Sequence, residues 1–137
     1  MKYFKTSEFD SPDLPGSGSN MQVSFCLMLD HSREILGAPI RVNSGYRTSA
    51  HNKKVGGAAK SSHLTGHAAD LAAPDRLSKR ALLKALYAAG FRRFGIMRTA
   101  IHVDNDPAKA PAVWDYPGQT LPHDWEQFGS IDKISQL

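Results

Sequence analysis

Apolar residues recur at near-helical spacing in two segments of the chain, and start and stop signals bound each segment. The first follows Asn20, which can cap a helix, and ends at Gly37. The second begins at Ser78, another cap residue, and ends at Gly90. Each segment presents one apolar stripe and is expected to cover a hydrophobic core. The stripes consist of Phe25, Met28, Leu29, Ile35 and Leu36 in the first helix and of Ala81, Leu82, Ala85, Leu86 and Ala89 in the second.

Shorter segments alternate apolar and polar residues and predict strands. We expect these strands at residues 39–43, 94–97, 100–104 and 112–116. Residues 46–64 show little periodicity and contain glycine and serine breakers, which indicates a long irregular loop with a short helix near 50–54. Because the helices come first and the strands are grouped later, the pattern predicts an α+β fold, with a small antiparallel sheet flanked by helices.

The length and composition place the chain among ordinary globular proteins. It has 137 residues, of which 41% are hydrophobic and 22% are charged, and we expect one domain spanning residues 1–137. The single cysteine, Cys26, excludes an internal disulfide and a cysteine-rich metal site, so any bound metal must use His, Asp or Glu. The tail at residues 117–137 is polar and mixed, and the pattern leaves its order undecided.

Charge and hydropathy limit the classes of partner. The net charge of +4 favours anionic partners such as cell wall or nucleic acid, without identifying one. Basic residues are not interleaved with aromatic ones, which argues against a nucleic-acid binder, and no apolar run is long enough for a membrane span. The amino-terminal residues show no export signal. We therefore expect synthesis in the cytoplasm, with release by another factor if the protein acts outside it.

Three residues with metal-binding side chains stand out, namely His63, Asp70 and His102. Zinc accepts His and Asp ligands, and a catalytic zinc requires three protein ligands and one open position. A separation of seven would place His63 and Asp70 on opposite faces of one strand. Gly66 lets the backbone bend between them, so that His63 can project from a loop while Asp70 lies on a strand. The three residues are therefore candidate ligands of one zinc ion per chain.

Two further polar residues lie close to these candidates in the sequence. His67 follows His63 by four residues, as in the helical zinc-protease motif, but that motif carries Glu beside its first His and this chain carries Leu64. We therefore reject His67 as a ligand. Asp104 shares a strand face with His102, and it either accepts a proton from metal-bound water or holds the imidazole ring of the ligand.

Short motifs follow one another along the chain in a specific order. They are NSGYRT at 43–48, HN at 51–52, VGG at 55–57, SHxxGxAxD at 62–70 and IHVD at 101–104. In order and spacing they closely resemble the M15 zinc peptidases, and in particular the small D-alanyl-D-alanine carboxypeptidase-like branch found in phages and bacteria. That branch is related to the zinc D,D-peptidases and to the amino-terminal signalling domain of hedgehog proteins. The resemblance runs from about residue 7 to residue 116.

The resemblance implies a fold, a cofactor and a reaction. It implies a D,D-peptidase or hedgehog-like fold with a zinc cleft, in which His63, Asp70 and His102 bind one Zn²⁺ and water takes the fourth position. The implied reaction is hydrolysis of peptidoglycan stem peptides by metal-activated water, as a carboxypeptidase at the D-Ala-D-Ala end or as an endopeptidase at a cross-link. We expect a monomer, and a chain without an export signal fits a phage lysis enzyme by analogy.

The resemblance also assigns roles to residues around the metal. Arg47 is expected to grip substrate and to stabilise the oxyanion, while Tyr46 and Ser62 shape the substrate cleft. Many relatives place an acidic general base three residues before the last ligand, where this chain has Thr99. Asp104 is therefore the candidate base, with a ring-holding role as its alternative. The same departure permits a second function, a catalytically inactive zinc-containing binding or signalling module.

Overall fold

A five-stranded sheet forms the centre of the structure, and helices pack against it and against one another. The computed structural model describes residues 1–116 and 119–137. The helices are α1 (Val23–Leu36), α2 (Ser49–Lys54), α3 (Arg76–Ala88), α4 (Pro122–Phe128) and α5 (Ile131–Ser135), with short 3₁₀ helices at Thr6–Phe9 and Ser17–Asn20. The strands are β1 (Val42–Ser44), β2 (Ala68–Ala72), β3 (Arg93–Ile96), β4 (Ala100–Asp104) and β5 (Ala112–Asp115).

The sheet has the strand order β1-β2-β4-β3-β5 and is mostly antiparallel. Strand β4 pairs antiparallel with both β2 and β3, and β1 pairs antiparallel with β2. The edge strand β5 runs parallel to β3, an addition to the predicted antiparallel sheet. The chain reverses once between β3 and β4 and again before β5, so β5 points in the same direction as β3. The α+β class is confirmed.

The helices lie where the apolar periodicity predicted them, but their first residues differ. Asn20 belongs to a 3₁₀ helix, so the N-cap of α1 is Gln22. The N-cap of α3 is Asp75, which accepts a 2.8 Å hydrogen bond from the Ser78 amide. The Ser78 hydroxyl returns a 3.1 Å bond by accepting from the Asp75 amide. Gly37 ends α1 with a φ of 70°, as its position predicted.

Alternation along β4 separates the core of the protein from a polar cleft. Ile101 and Val103 are fully buried in the hydrophobic cluster, together with α1 and α3 residues. His102 and Asp104 point to the opposite face, as the sequence pattern predicted. The central strand of the sheet therefore carries apolar packing on one side and the candidate chemistry on the other.

The tail contains two helices, although the sequence pattern left its order undecided. Phe128 of α4 and Ile134 of α5 are 0% and 1% exposed and belong to the same hydrophobic cluster as the rest of the core. Pro117 and Gly118 of the predicted tail lie outside the described residues. In the described part of the chain, every helix is too short or too polar to traverse a bilayer.

A buried ion pair joins α3 to α4. Lys79 and Asp124 are 1% and 2% exposed, and Lys79 Nζ lies 3.1 Å from Asp124 Oδ2. Asp124 Oδ2 accepts no hydrogen bond among the described residues, so the contact is an ion pair rather than a directed hydrogen bond. Lys79 Nζ also donates to the carbonyl oxygen of Arg98. One ammonium group thus joins α3, the turn between β3 and β4, and the helical tail.

Candidate metal centre

His63, Asp70 and His102 meet at one point, although they lie far apart in the chain. His63 lies in the loop before β2, while Asp70 and His102 occupy directly opposed positions of β2 and β4. Such opposed pairs bring side chains on the same face close together. Asp70 Oδ1 lies 3.2 Å from His63 Nε2 and 2.9 Å from His102 Nδ1. One donor atom from each residue lies within 4.8 Å of the other two, so the fold assembles the predicted group.

The loop that carries His63 also fixes the orientation of its ring. Gly66 has a φ of 76°, which a glycine adopts without strain, and it turns the chain between His63 and β2. His63 Nδ1 lies 2.7 Å from the carbonyl oxygen of Gly45, an atom that can only accept a hydrogen bond. Nδ1 therefore carries the proton, and Nε2 presents its lone pair to Asp70.

The His102 ring is oriented by a carboxylate on its own strand. Asp104 Oδ2 lies 2.9 Å from His102 Nε2. Burial acts to raise the pKa of Asp104, but the hydrogen bond from His102 and the positive charge of Arg93 outweigh it, so the net shift is downward. The ionised carboxylate can only accept, so Nε2 donates to it, and in the neutral ring the lone pair of Nδ1 then faces Asp70.

When both rings are neutral, two imidazole lone pairs face the same oxygen of Asp70. Burial opposes ionisation of Asp70, yet when a proton lies on a ring nitrogen that faces it, the hydrogen bonds and charges of His102 and His63 outweigh burial and hold the pKa of Asp70 well below the usual range. Burial likewise opposes a charged His102, but Asp104 and Asp70 raise the pKa of its imidazole. Lone pairs and an anionic oxygen repel one another, so this arrangement requires a proton or a metal cation at its centre.

The donor set suits zinc. Zinc binds histidine nitrogen and carboxylate oxygen in tetrahedral sites, and the three side chains offer two nitrogens and one oxygen. His63, Asp70 and His102 are only 1%, 6% and 5% exposed, so their donor atoms are already largely removed from water. A cleft of about 530 Å³ opens onto Asp70 and His102. The group can therefore hold a zinc ion that substrate and water approach from the cleft.

Arg47 is fixed beside Asp70 on the wall of the cleft. Its Nε donates to Ser44 Oγ at 3.0 Å, and its Nη1 donates to Asn52 Oδ1 at 3.3 Å. Its Nη2 donates to Asp70 Oδ2 at 3.0 Å, so each Asp70 oxygen has its own partners. These bonds use three of the five guanidinium N–H donors. Arg47 thus lies where a substrate-binding residue was expected.

Both oxygens of Asp104 are engaged by the protein. Oδ2 accepts from His102, while Oδ1 accepts a 2.7 Å bond from Arg93 Nε and a 3.2 Å bond from the Asp106 amide. The side chain is 1% exposed. Arg93 reaches Asp104 because the two residues are opposed in the β3–β4 register. Of the two roles open to Asp104, these contacts favour holding the His102 ring over accepting a proton.

Aromatic side chains form a wall of the cleft next to His102. The ring centroids of Trp114 and Tyr116 lie 5.3 Å and 6.1 Å from that of His102. Gly95 makes room for them, because a Cβ there would lie 2.6 Å from Tyr116 and 2.9 Å from Trp114. Burial, followed by the charge of Asp70, raises the pKa of Tyr116 to about 12. The phenol therefore stays protonated over the ordinary pH range.

The other residues singled out from the sequence occupy different positions. Ser62 lines the cleft and is 2% exposed, in agreement with a shaping role. Tyr46 instead packs against the hydrophobic core and is not among the residues that line the described cleft. His67 lies outside the metal-binding group, and its Nδ1 is 2.8 Å from Thr65 Oγ1. Thr99 is exposed in the β3–β4 turn, where its carbonyl accepts from the Ala73 amide.

The charged and aromatic cleft residues that were not identified from the sequence are Arg93, Lys109, Trp114 and Tyr116. The alternation of Trp114 and Tyr116 in a predicted strand offered a signal, because alternate residues share a face. Arg93 and Lys109 offered none. Their places depend on the β3–β4 register and on the fold of the loop after β4, which short-range patterns do not specify.

Comparison with known proteins relates this geometry to a family. A family model described as Peptidase M15 matches residues 2–105, a range that contains His63, Asp70, His102, Arg47 and Asp104. A segment of 35 residues is 57% identical to the zinc D-Ala-D-Ala carboxypeptidase of Streptomyces albus G. That segment is 26% of this chain and 14% of the length of that relative.

Proposed function

The chain belongs to the peptidase M15 family, and we propose that it is a zinc-dependent peptidase that hydrolyses peptidoglycan stem peptides. The bond cut is either the D-Ala-D-Ala end, as in a carboxypeptidase, or a cross-link, as in an endopeptidase. The name of the Streptomyces relative supports this substrate class, and the net charge of +4 favours an anionic wall. The observation that carries the proposal is the convergence of His63, Asp70 and His102 at the cleft.

In the proposed site, His63 Nε2, Asp70 Oδ1 and His102 Nδ1 hold the metal. Bound zinc would lower the pKa of a coordinated water to about 7 and polarise the scissile carbonyl. The protein contributes the orientation of the donors, since Gly45 and Asp104 fix the tautomers of the two rings. Arg47 binds the second oxygen of Asp70, so Oδ1 is the oxygen that would be offered to the metal.

Arg47 is proposed to bind the substrate and the developing oxyanion. Its guanidinium has two N–H donors beyond those given to Ser44, Asn52 and Asp70, and it lines the cleft. The group stays charged at every relevant pH and is held in place before substrate arrives. A fixed donor of this kind stabilises charge that develops on the substrate oxygen without having to reorganise.

Replacing Asp104 with asparagine is expected to lower zinc affinity by about 10- to 100-fold, the usual effect of removing an outer partner of a metal-bound histidine. The asparagine amide lacks the negative charge that makes the His102 imidazole a stronger metal ligand. It also removes the carboxylate that pairs with Arg93. Competition with a chromogenic chelator measures the affinity. Asp115→Asn, which alters an exposed carboxylate on β5, is the matched control. Unchanged zinc affinity with lost turnover would identify Asp104 as the base instead.

Incubation with a synthetic stem peptide ending in D-Ala-D-Ala tests the proposed activity. We expect mass spectrometry to show hydrolysis by the zinc-loaded protein and none after chelation, with recovery when zinc is returned. Loss of one D-Ala identifies a carboxypeptidase, and two peptide fragments from a cross-linked substrate identify an endopeptidase. Hydrolysis that persists at full rate without metal would contradict the proposal.

A zinc-containing binding or signalling module is the second candidate function. The observation that favours it is Thr99, which occupies the position of an acidic base in many relatives and is exposed in a turn away from the cleft lining. A hydroxyl in that position cannot take a proton at neutral pH. The same assay separates the two functions, because a module retains zinc and yields no product from either peptide.

A further inference from the structure

The ammonium group of Lys109 is held at the cleft by a hydrogen-bond network. Its Nζ donates to the carbonyl oxygen of Lys60 and to Ser62 Oγ, both at 2.8 Å. The Ser62 hydroxyl in turn donates to Asp106 Oδ2 at 2.8 Å, and Ser62 itself is 2% exposed. The position of the ammonium is therefore set by buried and main-chain groups next to the candidate ligand His63.

The network leaves one N–H of Lys109 without an assigned acceptor. An ammonium has three donors, and the two short bonds engage two of them with neutral oxygens. The nearest carboxylate oxygen, on Asp106, is 3.7 Å away, which is beyond hydrogen-bond distance. That carboxylate already accepts from Ser62 and from the Ala108 amide. The Lys109 side chain is 32% exposed and lines the cleft, so the third donor has access to a bound ligand.

The two arginines of the described cleft lining, unlike Lys109, are each in direct contact with a carboxylate. Arg47 lies 3.0 Å from a carboxylate oxygen of Asp70, and Arg93 lies 2.7 Å from one of Asp104. Each of these two arginine charges is therefore paired with a carboxylate that also contacts a candidate histidine ligand. Lys109 has a longer ion-pair contact of 3.7 Å, with Asp106, and its side chain is 32% exposed, against 14% for Arg47 and 16% for Arg93. Its third N–H donor is therefore the charged donor of the described lining most accessible to an incoming anion.

We propose that Lys109 is a subsite for a free carboxylate of the peptide substrate, a specificity that rests on the proposed peptidase function. A carboxylate is an acceptor that matches one remaining charged N–H donor, and such charge-assisted bonds are stronger than neutral ones. The carboxylate belongs either to the carboxyl terminus of the peptide or to an acidic group within it. The Ser62–Asp106 pair holds the ammonium in place before the peptide binds.

Lys109→Met removes the charge and keeps most of the aliphatic stem, so it isolates the proposed contact. Three stem peptides serve as probes: one with all carboxylates free, one amidated at its carboxyl terminus, and one with its internal carboxylate replaced by an amide. Wild-type protein is expected to lose about 10- to 100-fold in kcat/KM with one of the two amides, the usual effect of losing a charged hydrogen bond. That amide identifies the source of the carboxylate. With the peptide whose carboxylates are all free, Lys109→Met should lose a similar factor in kcat/KM. Its kcat/KM should not fall further when the identified carboxylate is replaced by the amide.

Lys60→Met is the matched control, because it removes a neighbouring exposed charge and keeps the carbonyl that accepts from Lys109. An equal loss in Lys60→Met would assign the effect to general electrostatics and overturn the subsite. Equal losses of Lys109→Met on all three peptides would indicate a structural role and overturn it as well. If Lys109→Met does not fold, Lys109→Gln replaces it, with zinc content and thermal melting compared with wild type.

Calorimetric binding of the same peptides separates this proposal from the proposed function. If wild type hydrolyses none of them but binds the free peptide at least about 10-fold more tightly than one amide, and Lys109→Met does not, the subsite stands and the peptidase function fails. If hydrolysis proceeds without any preference between carboxylate and amide, the peptidase function stands and the subsite fails.

Discussion

His102→Ala is expected to lower zinc affinity by more than the roughly 10- to 100-fold that follows loss of a residue hydrogen-bonded to a metal ligand, because it removes one of the metal ligands. His102 Nδ1 is one of three protein ligand atoms, and the alanine side chain offers no ligand atom in its place. Peptide hydrolysis should fall to the level of the chelated wild type. Metal analysis of the purified protein and the stem-peptide assay measure the two effects.

His67→Ala is the matched control for this experiment. His67 lies four residues from His63, but its ring contacts Thr65 and does not belong to the metal-binding group. We expect this variant to keep both zinc and activity, while His63→Ala should behave as His102→Ala does. Normal zinc content in both His63→Ala and His102→Ala would refute the proposed metal centre.

Lys79→Met is expected to reduce the free energy of unfolding by about 3–5 kcal/mol, the cost of leaving a buried partner charge uncompensated. Asp124, the partner, is 2% exposed and lies 3.1 Å from the Lys79 ammonium. Loss of the ammonium also removes a donor to the carbonyl of Arg98. Since domains of this size are stable by only about 5–15 kcal/mol, the loss should be plain in urea denaturation.

A double variant and an exposed lysine provide the controls. Lys79→Met combined with Asp124→Leu replaces both charges by apolar groups, and it should recover most of the lost stability because no buried charge remains unpaired. Lys84→Met alters an exposed lysine on the same helix and should leave the stability within about 0.5 kcal/mol of wild type. If Lys79→Met is as stable as Lys84→Met, the ion pair does not anchor the tail.

The sequence predicted the elements whose own pattern is long or strictly alternating. Strand β4 has the predicted limits because Ile101 and Val103 alternate with His102 and Asp104. The start of α1 was wrong because Asn20 is already engaged in a 3₁₀ helix. The helices of the tail escaped detection because they have seven and five residues, too few to display an apolar period.

At the site, the donor types and their spacing were enough to predict the group of His63, Asp70 and His102. The role of Asp104 was not predictable, because it depends on Arg93, which the β3–β4 register brings to the second oxygen of that carboxylate. The parallel direction of β5 had no sequence signal either, because it follows from the course of the loop that precedes it.

The two sides of the cleft come from different stretches of chain. The candidate metal donors and Arg47 lie within residues 2–105, the range matched by the family, whereas Lys109, Trp114 and Tyr116 lie beyond it. The later stretch is built on β5, an edge strand that pairs only with β3 in the described sheet. In the described sheet β5 makes no pairing with β2 or β4, the strands that carry Asp70 and His102. Under the proposed roles, metal binding and peptide selection are therefore carried by separate stretches of the chain, the first within residues 2–105 and the second beyond them.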